Sequence, residues 1–208
     1  MLKTEHPTLD IEETIWRSGA KFIAGIDEVG VGSLAGPVTA AAVVLTSTDD
    51  HSWFEEVNDS KKLSPARRAI LHKEICNSAI FSIGWSSNEE VDLVGISEAR
   101  RQACIRALSS LSVSPDAVIS DALQLPWPNV TSVIRADSKS ISVAAASIVA
   151  KVVRDSWMVD ACERLPGYGF CKHKGYLTAK HKQALYARGP SSIHRLTWSP
   201  IAEWSFSD

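Results

Sequence analysis

The chain has 208 residues, of which 45% are hydrophobic and 22% are charged, a composition typical of a globular protein. No apolar run approaches the roughly 20 residues that a membrane-spanning helix needs, and the polar start of the chain is unlike a secretory signal. The four cysteines are widely spaced and form no C-x-x-C pair, which favours reduced thiols over a zinc site. We therefore expect a cytoplasmic protein with no membrane association.

The net charge of −2 conceals a basic C-terminal segment. Residues 164–202 contain seven Lys and Arg residues and no Asp or Glu. Such a segment either binds a polyanion or is a solvated basic face, and charge alone favours neither interpretation. Three histidines and three tyrosines in the same segment favour a nucleic acid. We predict a single domain over residues 1–208, in which residues 164–208 form a basic helical extension.

In chain order, Asp10-x-x-Glu13 predicts a capping box that opens a short helix ending at Gly19. Strands are predicted over residues 21–26 and 38–45, joined by a glycine-rich turn. Ser64 and Pro65 predict the start of a helix that continues to about residue 79. The remaining predictions are strands over 81–85, 117–119 and 130–135 and helices over 88–94, 97–111, 142–164 and 178–188.

This alternation predicts an α/β fold with a mixed sheet. Acidic residues follow three of the predicted strands: Asp27 and Glu28 after the first, Asp121 and Asp137 after two later ones. Ligand chemistry in α/β proteins gathers at the carboxyl ends of strands. If these ends converge, four carboxylates meet at one point.

The glycine pattern Gly30-x-Gly32-x-x-x-Gly36 invites a dinucleotide-binding interpretation, but that fingerprint should open a helix. Pro37 and a β-rich run follow instead, which indicates a hairpin. No Gly-Lys-Ser/Thr is present, so a nucleotide P-loop is excluded. A plain structural turn remains an alternative, but it does not explain the adjacent carboxylates.

A lone Asp at a strand end is most often a turn former or a helix cap. Asp121 alone would fit that role, and Asp137 could cap the helix near residue 142. The joint pattern is harder to explain in this way. Two metal ions held by shared carboxylates can activate a water and stabilise a departing oxygen at a phosphodiester, and Mg²⁺ suits such a site.

Two further segments could contact phosphate. Ser60 and Lys61 precede a helix N-terminus, where backbone N–H groups and a lysine can bind an anion; the alternative is an ordinary polar loop. Lys151 lies one turn after Ser147 in an alanine-rich helix, on the same face. Core packing is the favoured role for most of that helix.

The motifs in this order resemble those of ribonuclease HII, the type 2 ribonuclease H family. The resemblance covers nearly the whole chain. It rests on Gly25-Ile-Asp27-Glu28-x-Gly30-x-Gly32-x-Leu34-Ala35-Gly36-Pro37, Asp59-Ser60-Lys61, Asp121, Asp137 followed by SVAAASIVAKVVRD at 142–155, Tyr168-Gly169-Phe170, His173-Lys174-Gly175-Tyr176, Thr178, His181, Gly189-Pro190 and His194-Arg195. Each motif is weak alone, and their order and spacing together are highly specific.

The resemblance implies a ribonuclease H-like fold and an endonuclease that cuts RNA–DNA hybrids and duplex DNA 5′ of single embedded ribonucleotides, leaving 5′-phosphomonoesters. It implies Mg²⁺ or Mn²⁺ as cofactor in a two-metal mechanism and a monomeric enzyme. Asp27, Glu28, Asp121 and Asp137 would be the catalytic metal ligands. The backbone of Gly30, Val31 and Gly32 would recognise the ribose 2′-OH. Tyr168 would stack at the RNA–DNA junction, and Ser60, Lys61, Ser147 and Lys151 would contact substrate.

The chain departs from the family pattern at three places. Val31 replaces the usual Arg or Lys between the two glycines, so we predict weaker or altered substrate binding without loss of chemistry. Ala122 follows Asp121 where glycine is common, and Arg135-Ala136-Asp137 replaces Lys-Gly-Asp. The related type 3 enzymes carry an extra N-terminal domain of substantial length, whereas residues 1–20 alone precede the first predicted strand here, so type 2 is preferred.

Two other functions remain open at this stage. One is a nuclease on the same fold that is indifferent to ribose, such as a junction resolvase. The other is a nucleic-acid-binding module without catalysis, against which the four retained carboxylates argue. A purely structural protein would leave the acids at strand ends unexplained.

Overall fold

A computed structural model of the chain describes residues 6–203. Its centre is a mixed five-stranded sheet with the order β3-β2-β1-β4-β5. β1 pairs antiparallel with β2 and parallel with β4, and the outer pairs are β2 with β3, antiparallel, and β4 with β5, parallel. The strands are β1 Ile23–Val29, β2 Val38–Leu45, β3 Ile80–Ser86, β4 Ala117–Asp121 and β5 Val130–Val133.

Helices flank the sheet. They are α1 Asp10–Arg17, α2 Pro65–Ser78, α3 Asn88–Val94, α4 Ile96–Ser109, α5 Ile141–Arg164, α6 Phe170–His173 and α7 Ala179–Arg188. Short 3₁₀ turns occur at Ser52–Glu55, Ala136–Ser138 and Ile201–Glu203. The architecture confirms the predicted α/β fold of the ribonuclease H type.

Most predicted elements are confirmed, and the exceptions have local causes. The capping box at Asp10 is wrong: Leu9 is the N-cap of α1 and no side chain caps the helix. β1 was predicted to end at residue 26 but continues to Val29, because Asp27 and Glu28 remain paired with β2. The helix-cap alternative for Asp137 is also wrong, since the Ser140 side chain accepts from the Val143 N–H at the start of α5.

The sheet is buried on both faces. Alternate side chains of β2 point to opposite sides: Ala40, Ala42 and Val44 pack in one cluster with α4, whereas Ala41 and Val43 pack in another with α2 and α5. This sandwich explains why β2 is buried along its whole length. The strand reads as a continuous apolar run instead of an alternating one.

The long helix α5 lies close against β1. A Cβ placed on Gly25 would stand 2.2 Å from the backbone carbon of Ser142, so only glycine permits this approach. Buried Glu12 of α1 secures the start of the same helix, because its Oε1 accepts from the Ser142 N–H at 2.9 Å and from the Ser140 hydroxyl at 2.6 Å. The approach brings the α5 side chains up to the middle of β1.

The C-terminal segment returns to the turn between β1 and β2. The Gly36 N–H donates to the Ile193 carbonyl at 2.8 Å, and the Arg195 N–H donates to the Leu34 carbonyl at 2.9 Å. Residues 30–37, which we call the glycine turn, are therefore held from the far end of the chain. No helix among residues 6–203 is long and apolar enough to cross a membrane.

Candidate functional site

The two adjacent carboxylates lie within β1 and face opposite sides of the sheet. Asp27 pairs with Ala41 and Glu28 with Ala40, and consecutive strand residues point to opposite faces. Asp27 therefore faces α5 and Glu28 faces α4. The sequence predicts both acids together at the end of a strand. In the structure, the two side chains lie in different environments.

Asp27 is only 9% exposed. Burial raises the pKa of Asp27 well above its ordinary value, and the charge of Glu28 adds to that rise; a hydrogen bond from Ser147 opposes it. The Ser147 and Ser60 hydroxyls are 3.0 Å apart. Within that pair the Ser147 hydroxyl donates to that of Ser60, so Ser147 contacts both Asp27 and the loop before α2.

Glu28 is held by α4. Its Oε1 lies 2.7 Å from the Arg100 Nε, an ion pair with little exposure on either side chain. The Cys104 thiol lies 3.9 Å from Oε2. Burial raises the pKa of Glu28; Arg100 counters that effect, and the charge of Asp121 adds to it.

Asp121 and Asp137 are linked through the backbone. Asp121 ends β4, and its Oδ1 accepts from the Ala136 N–H at 3.2 Å. That bond orients the 3₁₀ turn Ala136–Ser138, which carries Asp137. Burial raises the pKa of Asp137, as do the charges of Asp59 and Asp121.

The Lys61 ammonium interacts electrostatically with Glu28 and Asp137. Burial alone would lower its pKa, but Asp59, Asp137 and Asp27 outweigh burial and raise it. The Lys61 N–H also donates to the Asp59 Oδ1 at 2.9 Å, so an Asx turn fixes this loop. The predicted contacts Ser60 and Lys61 thus lie beside the predicted acids.

The structure brings all four predicted acids within range of one another's charge. Even so, within residues 6–203 no group of three or more Asp, Glu, His or Cys side chains is arranged to hold a metal ion. Asp27 and Glu28 point to opposite faces of the sheet, and Glu28 is paired with Arg100. The donor chemistry fits a hard divalent cation, because such ions prefer carboxylate oxygens and the charges of these four acids act on one another.

The glycine turn lies directly after the acids of β1. Gly30 has a φ of +90°, and a Cβ there would lie 2.2 Å from the Arg154 Nε. Gly32 is exposed, and a Cβ there would meet nothing within 4 Å. Val31 packs against the α4-side core cluster, which accounts for an apolar residue at this position.

The other predicted substrate contacts, Lys151 and Tyr168, already have partners within the protein. Lys151 forms an ion pair with Asp155 at 2.8 Å, so its ammonium is already engaged within α5. The Tyr168 hydroxyl donates to the Gly189 carbonyl at 2.9 Å, and its ring stacks on Phe170 with centroids 5.3 Å apart. Tyr168 keeps partial exposure.

Three arginines have roles that the sequence motifs did not reveal. Arg100 holds Glu28 and also donates to the Asp121 carbonyl at 2.9 Å. Arg154 and Arg195 are fully buried behind the glycine turn. Arg154 stands between Lys151 and Asp155 in α5, so no local signal set its buried charge apart from the other charged residues of the helix.

Comparisons with known proteins give a consistent assignment. The family model described as Ribonuclease HII matches residues 24–201. The Ribonuclease HII of Lactobacillus delbrueckii subsp. bulgaricus is 47% identical over 195 residues, covering 92% of this chain and 74% of the relative. The Ribonuclease HII of Chlamydia caviae is 45% identical over 195 residues, covering 92% and 91%.

Solved structures share the fold. The ribonuclease H2 of Pyrococcus horikoshii OT3 superposes with a TM-score of 0.75 at 24% identity, covering 88% of this chain and 96% of that one. The RNase HII in a PCNA complex from Archaeoglobus fulgidus gives a TM-score of 0.69 at 27% identity, covering 86% and 95%. The family match spans most of the chain, and with the relatives of similar length it shows that this protein belongs to the ribonuclease HII family, endonucleases of the type 2 ribonuclease H class.

Proposed function

We propose that this enzyme uses divalent metal ions to cut duplex DNA on the 5′ side of single embedded ribonucleotides, in addition to the RNA strand of RNA–DNA hybrids, the substrate class of its family. The observation that carries the proposal is the meeting of Asp27, Glu28, Asp121 and Asp137 beside a glycine turn. Three of these acids have pKa values raised by burial and by neighbouring negative charge. Such a cluster is costly unless a cation neutralises it.

Asp27, Glu28, Asp121 and Asp137 would hold Mg²⁺ or Mn²⁺. When bound, a pair of such ions activates the attacking water and stabilises the 3′ leaving oxygen, and the product carries a 5′-phosphate. The RNase HIII structure described as a complex with Mn²⁺ shares this fold, with a TM-score of 0.65 at 19% identity. A bound ion would replace part of the ion pair between Glu28 and Arg100.

Other side chains prepare the acids for this role. Ser147 lies within hydrogen-bonding range of Asp27 and favours its ionised form, and the Ser147 hydroxyl also contacts that of Ser60. Arg100 fixes Glu28 until an ion competes for it. Lys61 carries the positive charge that a scissile phosphate would meet at the edge of the acidic cluster.

The glycine turn would recognise the ribose. The backbone of Gly30, Val31 and Gly32 would contact the 2′-OH, the group that distinguishes RNA from DNA at one position. The open space at Gly32 supports this role. Val31 offers no charge to phosphate, so substrate affinity would depend on Lys61, Lys151 and the basic segment 164–202.

Tyr168 would stack at the RNA–DNA junction, with Phe170 supporting one face of its ring and the Gly189 carbonyl fixing its hydroxyl. We further propose that residues 1–208 act as one domain, as a cytoplasmic monomer. A single-domain enzyme of this kind needs no partner subunit to complete its site, because all four acids lie on one chain.

The test is cleavage of an end-labelled duplex that contains one ribonucleotide, with Mg²⁺ and with EDTA, beside an all-DNA duplex of the same sequence. We expect a single cut 5′ of the ribonucleotide that requires the metal. Equal cutting of the all-DNA duplex would instead indicate a ribose-indifferent nuclease. Tight binding with no cleavage in Mg²⁺ or Mn²⁺ would indicate a binding module.

A further inference from the structure

Two arginines that are 41 residues apart in sequence meet behind the glycine turn. Arg154 comes from α5 and Arg195 from the C-terminal segment, and each is 0% exposed. Their positive charges are close enough that Arg154 helps to lower the pKa of Arg195, after the larger effect of burial. A pair of like charges in a protein interior is unfavourable unless other groups offset it.

Peptide carbonyls of the glycine turn offset these charges. The Arg195 Nη1 donates to the Val31 carbonyl at 2.9 Å, and its Nη2 donates to those of Gly30 at 2.7 Å and Gly36 at 3.0 Å. The Arg154 Nε donates to the Pro37 carbonyl at 2.8 Å. Five carbonyls of residues 30–37 therefore point at the two guanidinium groups, the fifth being that of Ala35, which accepts from Arg154 at 3.1 Å.

Among residues 6–203 the carboxylates of Asp92 and Asp155 act on these arginines only at longer range than an ion pair. Neither arginine forms an ion pair within residues 6–203, and each lies over an aromatic ring, Arg195 at 5.0 Å from the Trp198 centroid and Arg154 at 5.7 Å from that of Tyr176. Apolar residues of similar volume would pack this position without the desolvation cost. The arginines therefore serve the conformation of the turn more than the stability of the core.

The carbonyl directions fix the amide directions. In a planar trans peptide the C=O and the N–H point in opposite directions. Because Arg195 draws the carbonyls of Gly30 and Val31 inward, the N–H groups of Val31 and Gly32 point outward. Neither N–H donates to any acceptor among residues 6–203, and the space beside Gly32 is open.

We infer that Arg195, supported by Arg154, is a positioning residue for ribose discrimination: it turns the peptide planes of Gly30 and Val31 so that two N–H groups face the 2′-OH and the adjacent phosphate. This inference rests on the proposed function. The planar fork of arginine is necessary, since a lysine ammonium at either position retains the charge but not the paired donor geometry.

The test measures binding, so it does not depend on turnover. Dissociation constants are determined in Ca²⁺ for a duplex with one ribonucleotide and for the all-DNA duplex of the same sequence. Their ratio is the discrimination. The variants are Arg195→Lys and Arg154→Lys. Arg106→Lys is the matched control, because Arg106 also donates to a backbone carbonyl, that of Trp85 at 2.6 Å, away from the turn.

We expect Arg195→Lys to lower the discrimination about tenfold, the scale of one hydrogen bond to a charged group, with affinity for all-DNA changed by less than about twofold. Arg154→Lys gives a smaller loss, and Arg106→Lys gives none. The circular dichroism and thermal midpoint of each variant are recorded alongside.

Undiminished discrimination in a folded Arg195→Lys variant overturns the inference. Failure of both lysine variants to fold overturns it too, because the arginines would then serve the core as a whole. If wild-type protein shows no discrimination and no cleavage at the ribonucleotide, the proposed function itself fails. If only the role of the arginines fails, wild-type protein still discriminates and the lysine variants discriminate equally well. The two failures are therefore distinguishable.

Discussion

The acidic cluster and the glycine turn lie next to each other along β1, yet charge is handled in opposite ways in the two regions. In the cluster, Asp27, Glu28 and Asp137 have pKa values raised by burial and by the charge of neighbouring carboxylates. Behind the turn, buried Arg154 and Arg195 are surrounded by carbonyl dipoles that offset them. The protein itself offsets the arginine charges behind the turn, whereas we propose that a bound cation offsets the charges of the acidic cluster. Under the proposed function, recognition would be preformed in the turn, whereas the catalytic site would be completed by the bound ion.

The largest expected effect comes from the acidic cluster. Asp27→Asn or Asp137→Asn should lower cleavage by about a thousandfold or more, because each change removes a carboxylate that would hold the ions. The fold should persist, with a thermal midpoint equal to or above that of wild type, since a buried like charge is removed. Cleavage rates and melting curves check both outcomes.

Asp160→Asn, on the exposed side of α5, is the control and should leave the rate unchanged. Measurable turnover at a wild-type rate in both site variants would disprove the assigned role of the acids.

The next effect concerns the glycine turn. Gly30→Ala should destabilise the protein by about 2–4 kcal/mol, because a Cβ meets the Arg154 Nε at 2.2 Å at a residue with a φ of +90°. Gly32→Ala is the matched variant: its Cβ meets nothing within 4 Å, so stability should stay within about 0.5 kcal/mol. Urea denaturation of both proteins checks the contrast. Equal losses would show that the turn does not depend on the arginine contact.

The pH dependence of stability tests the segment that holds the turn from the C-terminal side. Burial lowers the pKa of His181 to about 4 and that of His194 to about 4. The His194 Nδ1 accepts from the Ser191 N–H at 2.8 Å, so its proton is on Nε2, which donates to the His181 Nε2 at 3.0 Å. Protonating the pair would place two N–H groups face to face.

Both rings are neutral in the folded protein and titrate near 6.5 when unfolded. The contribution of the pair is therefore complete above about pH 6.5 and falls as the pH approaches 4, by roughly 1–3 kcal/mol. Urea denaturation at several pH values measures the slope. His194→Gln should flatten it, and His6→Gln, at an exposed position, should not. An unchanged slope in His194→Gln would contradict this assignment.

The smallest expected effect is at Val31. Val31→Arg should add one phosphate contact, raise affinity at low salt and steepen the salt dependence of binding by about one unit of slope. Catalysis in saturating substrate should not change. Binding titrations at several salt concentrations check this prediction. If affinity, rate and salt slope all stay as in wild type, Val31 does not account for altered binding.

Local signals in the sequence predicted much of the fold. Ser64 and Pro65 marked the start of α2, and the apolar run of β2 was predicted with its observed bounds. The four acids were found as strand-end residues, although pairing with β2 places Asp27 and Glu28 inside β1. Because both residues lie within the strand, their side chains point to opposite faces of the sheet. A strand assumed to end at residue 26 could not predict this.

The residues that could not be predicted act across long stretches of sequence. Arg195 reaches carbonyls 159 to 165 positions away, and Glu12 caps α5 from a distance of 130 residues. Arg100 meets Glu28 because α4 packs on the face of the sheet to which Glu28 points. No local pattern records such contacts, since they depend on how the elements are assembled.

The central claim is that the acids perform the chemistry and the glycine turn performs the discrimination. The most direct measurement is the ratio of dissociation constants of Asp27→Asn for a duplex with one ribonucleotide and for its all-DNA counterpart, determined in Ca²⁺. We expect a ratio equal to that of wild type in a variant that no longer cleaves in Mg²⁺. Loss of the preference together with cleavage would contradict it, because the two regions would then act as one.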